Sequence, residues 1–190
     1  MRWLVGNQPV KIIQAIKSNG GPLICAEREG AKFWLGTSGN SQANEAIQGA
    51  RTDYERACDV ADYVGEIKYS NRAALILGGM PLETMAWQPI GQPPCILRIY
   101  YMDPDANPVD ILDGCGTIDL FQPSESMNFS VECGDLIIFD SATPGSLVGD
   151  DFVSFEIPPG RYQIHTKRIE PNDRTSMLVH QFIEIKSNAY

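Results

Sequence analysis

The chain has 190 residues, 43% of them hydrophobic, and a net charge of −9, which allows a sizeable core. The negative charge argues against binding to nucleic acid or to anionic lipid, and no apolar run reaches the roughly 18 residues of a membrane-spanning helix. Five cysteines at irregular spacings fit neither a disulfide framework nor paired zinc ligands, so we expect reduced thiols in the cytoplasm, no metal and no cofactor.

Short segments rich in glycine, proline and tryptophan stand near the start of the chain. Gly20-Gly21-Pro22 predicts a tight turn, because glycine allows a positive φ and proline fixes the exit direction. A short buried strand is expected at 23–25. The segment Trp34-Leu35-Gly36 contains an indole large enough to anchor a small core, and we expect Trp34 to be buried rather than exposed to a partner.

A capping box predicts that a short helix begins at Thr52. Its hydroxyl can accept from the N–H three residues later, and Glu55 can reach back. Four apolar residues fall on one stripe of this helix: Tyr54, Ala57, Cys58 and Ala61. On this prediction Asp53, Arg56 and Asp59 face water, and Cys58 is a small buried hydrophobic residue rather than a nucleophile.

A β-hairpin is expected after the helix. Residues 66–68 and the apolar run 73–77 flank a polar turn, and Gly78-Gly79 ends the second strand. The chain then continues through Pro81, Thr84 and Trp87. A catalyst needs titratable groups that converge or a cradle for a cofactor, whereas these segments are built from glycine, proline, tryptophan and small apolar residues. We therefore expect this part of the chain to be a scaffold.

Together, these segments resemble the immunity protein 21 family, small bacterial proteins encoded beside the polymorphic toxins that they neutralise. The resemblance covers roughly residues 12–103. Eleven motif residues carry it: Gly20, Gly21, Pro22, Trp34, Gly36, Asp53, Tyr54, Cys58, Gly78, Pro81 and Trp87. It implies a protein that binds and blocks the toxin of a neighbouring gene, with no catalytic residues and no turnover.

The second half of the chain reads as short strands between turns. The predicted strand segments are 111–116, 134–140, 152–157, 161–169 and 177–185. Pro158-Pro159-Gly160 is expected to reverse the chain between two of them. His180 falls on the last strand, near an interface or a rim.

These elements predict an α+β protein that is dominated by antiparallel β structure. The segment 103–108 is the best linker candidate, because it contains two prolines and the charge balance changes there. We therefore expect an immunity-type lobe at 1–103, with one or two short helices. A β-sandwich-like lobe at 104–190 would pack closely against it.

The charge is concentrated in the second half. Residues 1–103 are neutral overall, whereas 104–190 carry the entire −9, and no lysine or arginine occurs between Arg98 and Arg161. A coherent negative surface attracts a basic partner and speeds association with it, so we expect a toxin with a basic surface. Six predicted contact residues follow from this argument: Asp103, Asp105, Asp110, Asp113, Asp150 and Asp151.

Two other classes of function remain open. A hydrolase or transferase could use a carboxylate pair, or Cys115 with His165 or His180, because such partners need to be adjacent only in space. A non-enzymatic β module could bind a ligand on an aromatic platform. Its aromatic residues would be Trp87, Tyr100 and Tyr101. A cleft where two titratable groups converge would favour the enzyme.

Overall fold

A computed structural model describes residues 14–42, 51–80, 82–88, 92–115 and 118–186. Eleven strands are described: β1 (Ala15–Ile16), β2 (Leu23–Glu27), β3 (Val64–Tyr69), β4 (Arg72–Leu77), β5 (Glu83–Trp87), β6 (Cys95–Tyr101), β7 (Glu125–Val131), β8 (Asp135–Asp140), β9 (Val153–Glu156), β10 (Gly160–Asn172) and β11 (Thr175–Glu184). Three short α-helices accompany them: α1 (Arg28–Ala31), α2 (Asp53–Cys58) and α3 (Pro108–Gly114). Single 3-10 turns lie at Gly36–Ser38, Ile118–Leu120 and Gly145–Leu147.

The strands form two antiparallel sheets. The first sheet has the order β1-β5-β6-β11-β10-β7, and the second has the order β3-β4-β2-β8-β9. This architecture confirms the predicted α+β class with mainly antiparallel β structure. Among the described residues, no helix is both long and apolar enough to cross a membrane.

Both sheets contain strands from each side of residue 103. In the second sheet β2 pairs with β8, where Cys25 lies opposite Ile138. In the first sheet β6 pairs with β11, where Leu97 lies opposite Val179. The predicted lobes 1–103 and 104–190 therefore share both sheets rather than each forming one of them.

Apolar side chains form three layers, because successive side chains of a strand point to opposite faces of its sheet. The inner core between the sheets includes Cys25, Leu75, Ile138, Ile96, Ile164 and Phe182. The outer face of the second sheet packs Ile24, Ile76 and Phe139 against Trp34 and Ala57. The outer face of the first sheet packs Leu97, Met177 and Val179 against Leu112 and Ile118.

The predicted hairpin is confirmed. β3 and β4 pair from Val64↔Leu77 to Tyr69↔Arg72, and a two-residue turn joins them. Ser70 in that turn has a φ of 49°, a left-handed conformation that tight hairpin turns require.

The predicted strand at 111–116 is wrong, because 108–114 form helix α3. The Asn107 side chain accepts from the Val109 N–H at 2.9 Å, and Pro108 occupies the first turn, where its missing N–H costs nothing. Val109 and Leu112, three residues apart, are both buried, and Leu112 packs against the outer face of the first sheet. Gly116 lies outside the described residues.

The segment Pro158-Pro159-Gly160 does not fold β9 back onto β10. Strand β9 pairs with β8 in the second sheet, whereas β10 pairs with β7 and β11 in the first. The prolines lack the N–H that a ladder needs, so this segment suits a passage between sheets. The predicted reversal is a crossing from one sheet to the other.

Candidate functional site

Trp34 anchors the outer layer of the second sheet. Its side chain is fully buried and makes an edge-to-face contact with Tyr69 at 5.7 Å between ring centroids. Its indole N–H donates to the carbonyl oxygen of Ser141 at 2.8 Å, so the buried polar group is satisfied. Trp34 thus holds the chain after β8 against the chain after α1.

Asp53 is fully buried, so the prediction that it faces water is wrong. One carboxylate oxygen accepts from the Leu35 N–H at 2.9 Å. The other accepts from the N–H and hydroxyl of Ser41 and from the Arg56 guanidinium, each at 3.0 Å. The carboxylate supplies acceptors for loop N–H groups that no strand or helix can satisfy.

Cys58 and Ala61 are both exposed, so their predicted place against the core is also wrong. Helix α2 ends at Cys58, which leaves Ala61 outside it. The helix buries Asp53 and Ala57, an i,i+4 pair, and Tyr54 is half-buried. Its capping box between Thr52 and Glu55 is present as predicted.

Residues 31–37 and 141–147 pack against each other, and we call them the loop pair. The Thr37 N–H donates to the Ala142 carbonyl at 3.1 Å, and the Gly145 N–H donates to the Trp34 carbonyl at 2.8 Å. Gly36 has a φ of 55°, and a Cβ there would lie 2.5 Å from the Ala142 oxygen. A Cβ at Gly145 would overlap the Ala31 carbonyl. Both glycines are therefore needed for this close fit.

Three large apolar side chains on the loop pair reach solvent. Leu147 is 72% exposed, Phe33 43% and Leu35 38%. We call these three residues the apolar patch. Two exposed carboxylates, Asp150 and Asp151, follow Leu147 closely in the chain. The loop pair thus presents apolar side chains next to negative charge.

The six predicted contact residues lie on opposite layers of the sandwich. Asp110 and Asp113 are exposed on α3, which covers the outer face of the first sheet, and Asp103 and Asp105 precede that helix. Asp150 and Asp151 follow Val148, which packs in the outer layer of the second sheet. The structure therefore divides them into a group near α3 and a pair beside the loop pair.

Two shallow clefts occur on the described surface. One, of about 480 Å³, is lined by Gln88, Cys133, Gly134, Asp135, Glu156, Ile157 and Pro158. The negative charge of Glu27 raises the pKa of the Cys133 thiol, which opposes formation of a nucleophilic thiolate. Asp135 in the same cleft is paired with Arg28 at 2.7 Å. The cleft thus has acidic groups but no activated thiol.

The other cleft, of about 200 Å³, is lined by Gly20, Gly21, Pro22, Tyr54, Ala57, Cys58, Val60, Gly78 and Gly79. Six of these are motif residues. A hydrogen bond with Cys58 raises the pKa of the Tyr54 hydroxyl, so tyrosine remains protonated at neutral pH. The motif glycines thus shape a small polar depression at the ends of β2 and β4.

The thiol and histidine groups of the alternative enzyme are not assembled. His180 lies between the sheets, whereas Cys115 ends α3 on the outer face of the first sheet. His165 is half-buried and hydrogen-bonds to Gln163 at 2.9 Å. Among the described residues no hydrogen bond joins Cys115 to either histidine, and no group of three His, Cys, Asp or Glu side chains is arranged to hold a metal. All five cysteines are free.

The proposed aromatic platform is not assembled either. Trp87 packs against the outer core of the first sheet, beside the start of β6. Tyr100 and Tyr101 stand at the far end of β6 from Trp87, where the register with β11 shifts. The Arg168 guanidinium lies 5.1 Å from the Tyr100 ring centroid.

Two polar residues of the first sheet are fully buried: Arg98, which the sequence analysis did not single out as a core residue, and His180, which it placed near an interface or a rim. Arg98 donates to the carbonyl oxygens of Gly78 at 2.6 Å and Met80 at 3.0 Å, and burial lowers its pKa to about 10. It therefore ties the chain after β4 to the first sheet. His180 Nδ1 lies 2.9 Å from the Thr166 hydroxyl. In the sequence, a charged or polar residue within a mainly apolar strand segment could have indicated both buried groups.

His180 predicts a pH dependence of stability. Burial, and then the nearby Arg98, hold the pKa of the His180 ring well below its ordinary value, whereas the unfolded chain takes up that proton at about pH 6.5. The unfolded state therefore binds more protons below that pH. We expect the free energy of unfolding to fall by up to about 1.4 kcal/mol per pH unit as the pH drops from 6.5 towards 5.

Denaturant unfolding at several pH values measures this slope. The variant His180→Gln should lose most of the slope, whereas His165→Gln should lose less of it, because His165 is only half-buried and burial lowers its pKa without taking it as far below the ordinary value. An unchanged slope in His180→Gln would show that other groups cause it.

Comparison with known protein families identifies the family of this chain. The sequence model of the family described as Immunity protein 21 matches residues 14–175. The chain belongs to the immunity protein 21 family. The match crosses residue 103 and reaches the start of β11, so it extends the resemblance predicted over 12–103 to the strands β7 to β10 of the second half. No curated protein and no solved structure matches the chain.

The motif residues of this immunity protein 21 family member have mainly structural positions. Trp34, Gly36 and Asp53 hold the loop pair and the loop that follows it, and Trp87 packs on the first sheet. Pro81 lies outside the described residues. Several of the motif residues therefore hold the backbone of the loop pair in place.

Proposed function

We propose that this protein binds the toxin encoded by a neighbouring gene and blocks it as a stoichiometric inhibitor, without catalysis, metal or cofactor. The observation that carries the proposal is the family match, which spans strands of both sheets.

We further propose that the toxin presents a basic surface. The net charge of −9 and the sequence pI of about 4.6 favour such a partner over nucleic acid or a membrane. A toxin that attacks nucleic acid needs a basic cleft to hold phosphate, and such a cleft would also attract exposed carboxylates. A cytoplasmic location is part of the proposal, and the five free thiols support it.

Co-expression with the toxin domain of the adjacent gene tests this function. We expect growth to be rescued, and the purified pair to form a one-to-one complex that buries about 1,200 to 2,000 Å² in total. Light scattering after size-exclusion chromatography measures the stoichiometry. Two purified proteins that fail to associate at micromolar concentration would contradict the proposal, as would substoichiometric inactivation of the toxin.

A further inference from the structure

We propose that the apolar patch, Phe33, Leu35 and Leu147, is the centre of the toxin-binding surface, and that Asp150 and Asp151 form its charged margin. The proposed occupant is a basic cleft of the toxin with an apolar floor. This inference rests on the proposed function and names the surface that performs it.

All three side chains of the apolar patch are exposed to solvent. Within the described ranges Leu147 is the most exposed of the large hydrophobic residues, at 72%, and Phe33 and Leu35 lie on the partner segment of the same loop pair. Scattered apolar residues are normal on a protein surface, whereas apolar side chains gathered on adjoining loops mark an interaction site. The Lys32 ammonium, 5.2 Å from the Phe33 ring centroid, leaves much of that ring accessible.

Hydrogen bonds hold the backbone that carries the apolar patch. Trp34 binds Ser141, Gly145 binds Trp34, and Asp53 accepts from Leu35. These bonds hold the backbone of the patch before any partner arrives. A preorganised surface loses little conformational entropy on binding, so most of the contact energy remains available for affinity.

The margin of the apolar patch is negatively charged. Asp150 and Asp151 are exposed, and neither takes part in an ion pair within the described ranges. In the group near α3, Asp103 is paired with Arg174 at 2.6 Å, whereas Asp105, Asp110 and Asp113 also take part in no ion pair within the described ranges. What distinguishes Asp150 and Asp151 is the exposed apolar patch beside them, whose side chains a basic partner can bury.

The test uses the purified toxin domain of the adjacent gene and the full chain. We expect the double variant Phe33→Ser with Leu147→Ser to raise the Kd at least about 30-fold, as loss of a central contact does. The matched control is Met80→Ser, which removes a side chain that is 63% exposed elsewhere. The control should change the Kd less than about twofold, and thermal melting should show all three proteins folded.

The charged margin has its own test. Asp150→Asn with Asp151→Asn should slow association about three- to tenfold at low salt with little effect on dissociation, because rim charges act mainly on the association rate. Added salt should remove most of this difference. The matched control, Asp110→Asn with Asp113→Asn on α3, should leave the rate nearly unchanged.

The outcomes separate the two proposals. If the unaltered protein does not bind the toxin domain, the proposed function fails. If it binds and the serine variant binds equally well, the patch is not the interface and this inference is overturned. The same holds if the α3 variant slows association more than the Asp150 and Asp151 variant. A loss of self-association in the serine variant, with toxin binding intact, would assign the patch to a second copy and also overturn it.

Discussion

Trp34→Ala should lower the free energy of unfolding by about 3 to 5 kcal/mol, a large share of what a domain of this size possesses. The substitution removes a fully buried indole from the outer layer of the second sheet and leaves a cavity beside Tyr69. It also leaves the Ser141 carbonyl without its indole donor. Urea unfolding followed by circular dichroism measures the change.

Trp34→Phe is the matched variant for this experiment. It keeps most of the apolar volume and loses the hydrogen bond to Ser141, so we expect a smaller loss, about 1 to 2 kcal/mol. An alanine variant as stable as the parent would contradict the core role. A folded alanine variant that fails to bind the toxin would instead show that the indole acts through the loop pair it supports.

Asp53→Ala should also cost about 3 to 5 kcal/mol, because the carboxylate is buried and fully partnered. Its removal leaves the N–H groups of Leu35 and Ser41 without their acceptors, and Arg56 without its ion pair. The loop that carries Leu35 should loosen, so toxin binding should weaken along with stability. Hydrogen exchange of these two N–H groups reports the loosening directly.

Asp59→Ala, at the end of the same helix, is the control for Asp53. That carboxylate is exposed and pairs with Arg51 on the surface, where an ion pair contributes little, so the free energy of unfolding should change far less than in Asp53→Ala. Equal effects of the two alanine variants would contradict the role assigned to Asp53. Asp53→Asn should fall between them, since an amide retains one acceptor oxygen.

The helix α2 shows where prediction from the sequence succeeded and where it failed. The capping box between Thr52 and Glu55 was predictable, because its two hydrogen bonds join residues only three apart. The burial of Asp53 and the exposure of Cys58 were not. Hydrophobic periodicity assumes that the buried face is apolar, and here a distant loop brings N–H groups that need an anion.

The candidate site was predictable only in its parts. The sequence analysis predicted that Trp34 is buried and that Asp150 and Asp151 contact a partner. It grouped these two aspartates, however, with carboxylates that lie on the opposite layer of the sandwich. It also missed the exposed Leu147, since a single leucine in a polar segment carries no periodic signal. Residues 31–37 and 141–147 approach each other only after β2 and β8 have paired.

The class of fold, the hairpin of β3 and β4, the start of α2 and the family could be predicted from the sequence, because each depends on local spacing or on motifs within one stretch of chain. Which other strands pair, and which acidic residues share a surface, depends on contacts that form only in the folded protein. Leu23 lies opposite Asp140, and contacts between residues so far apart in the chain depend on how whole sheets bury their apolar faces. The local sequence does not specify these pairings, because either edge of a strand can form backbone hydrogen bonds with several other strands.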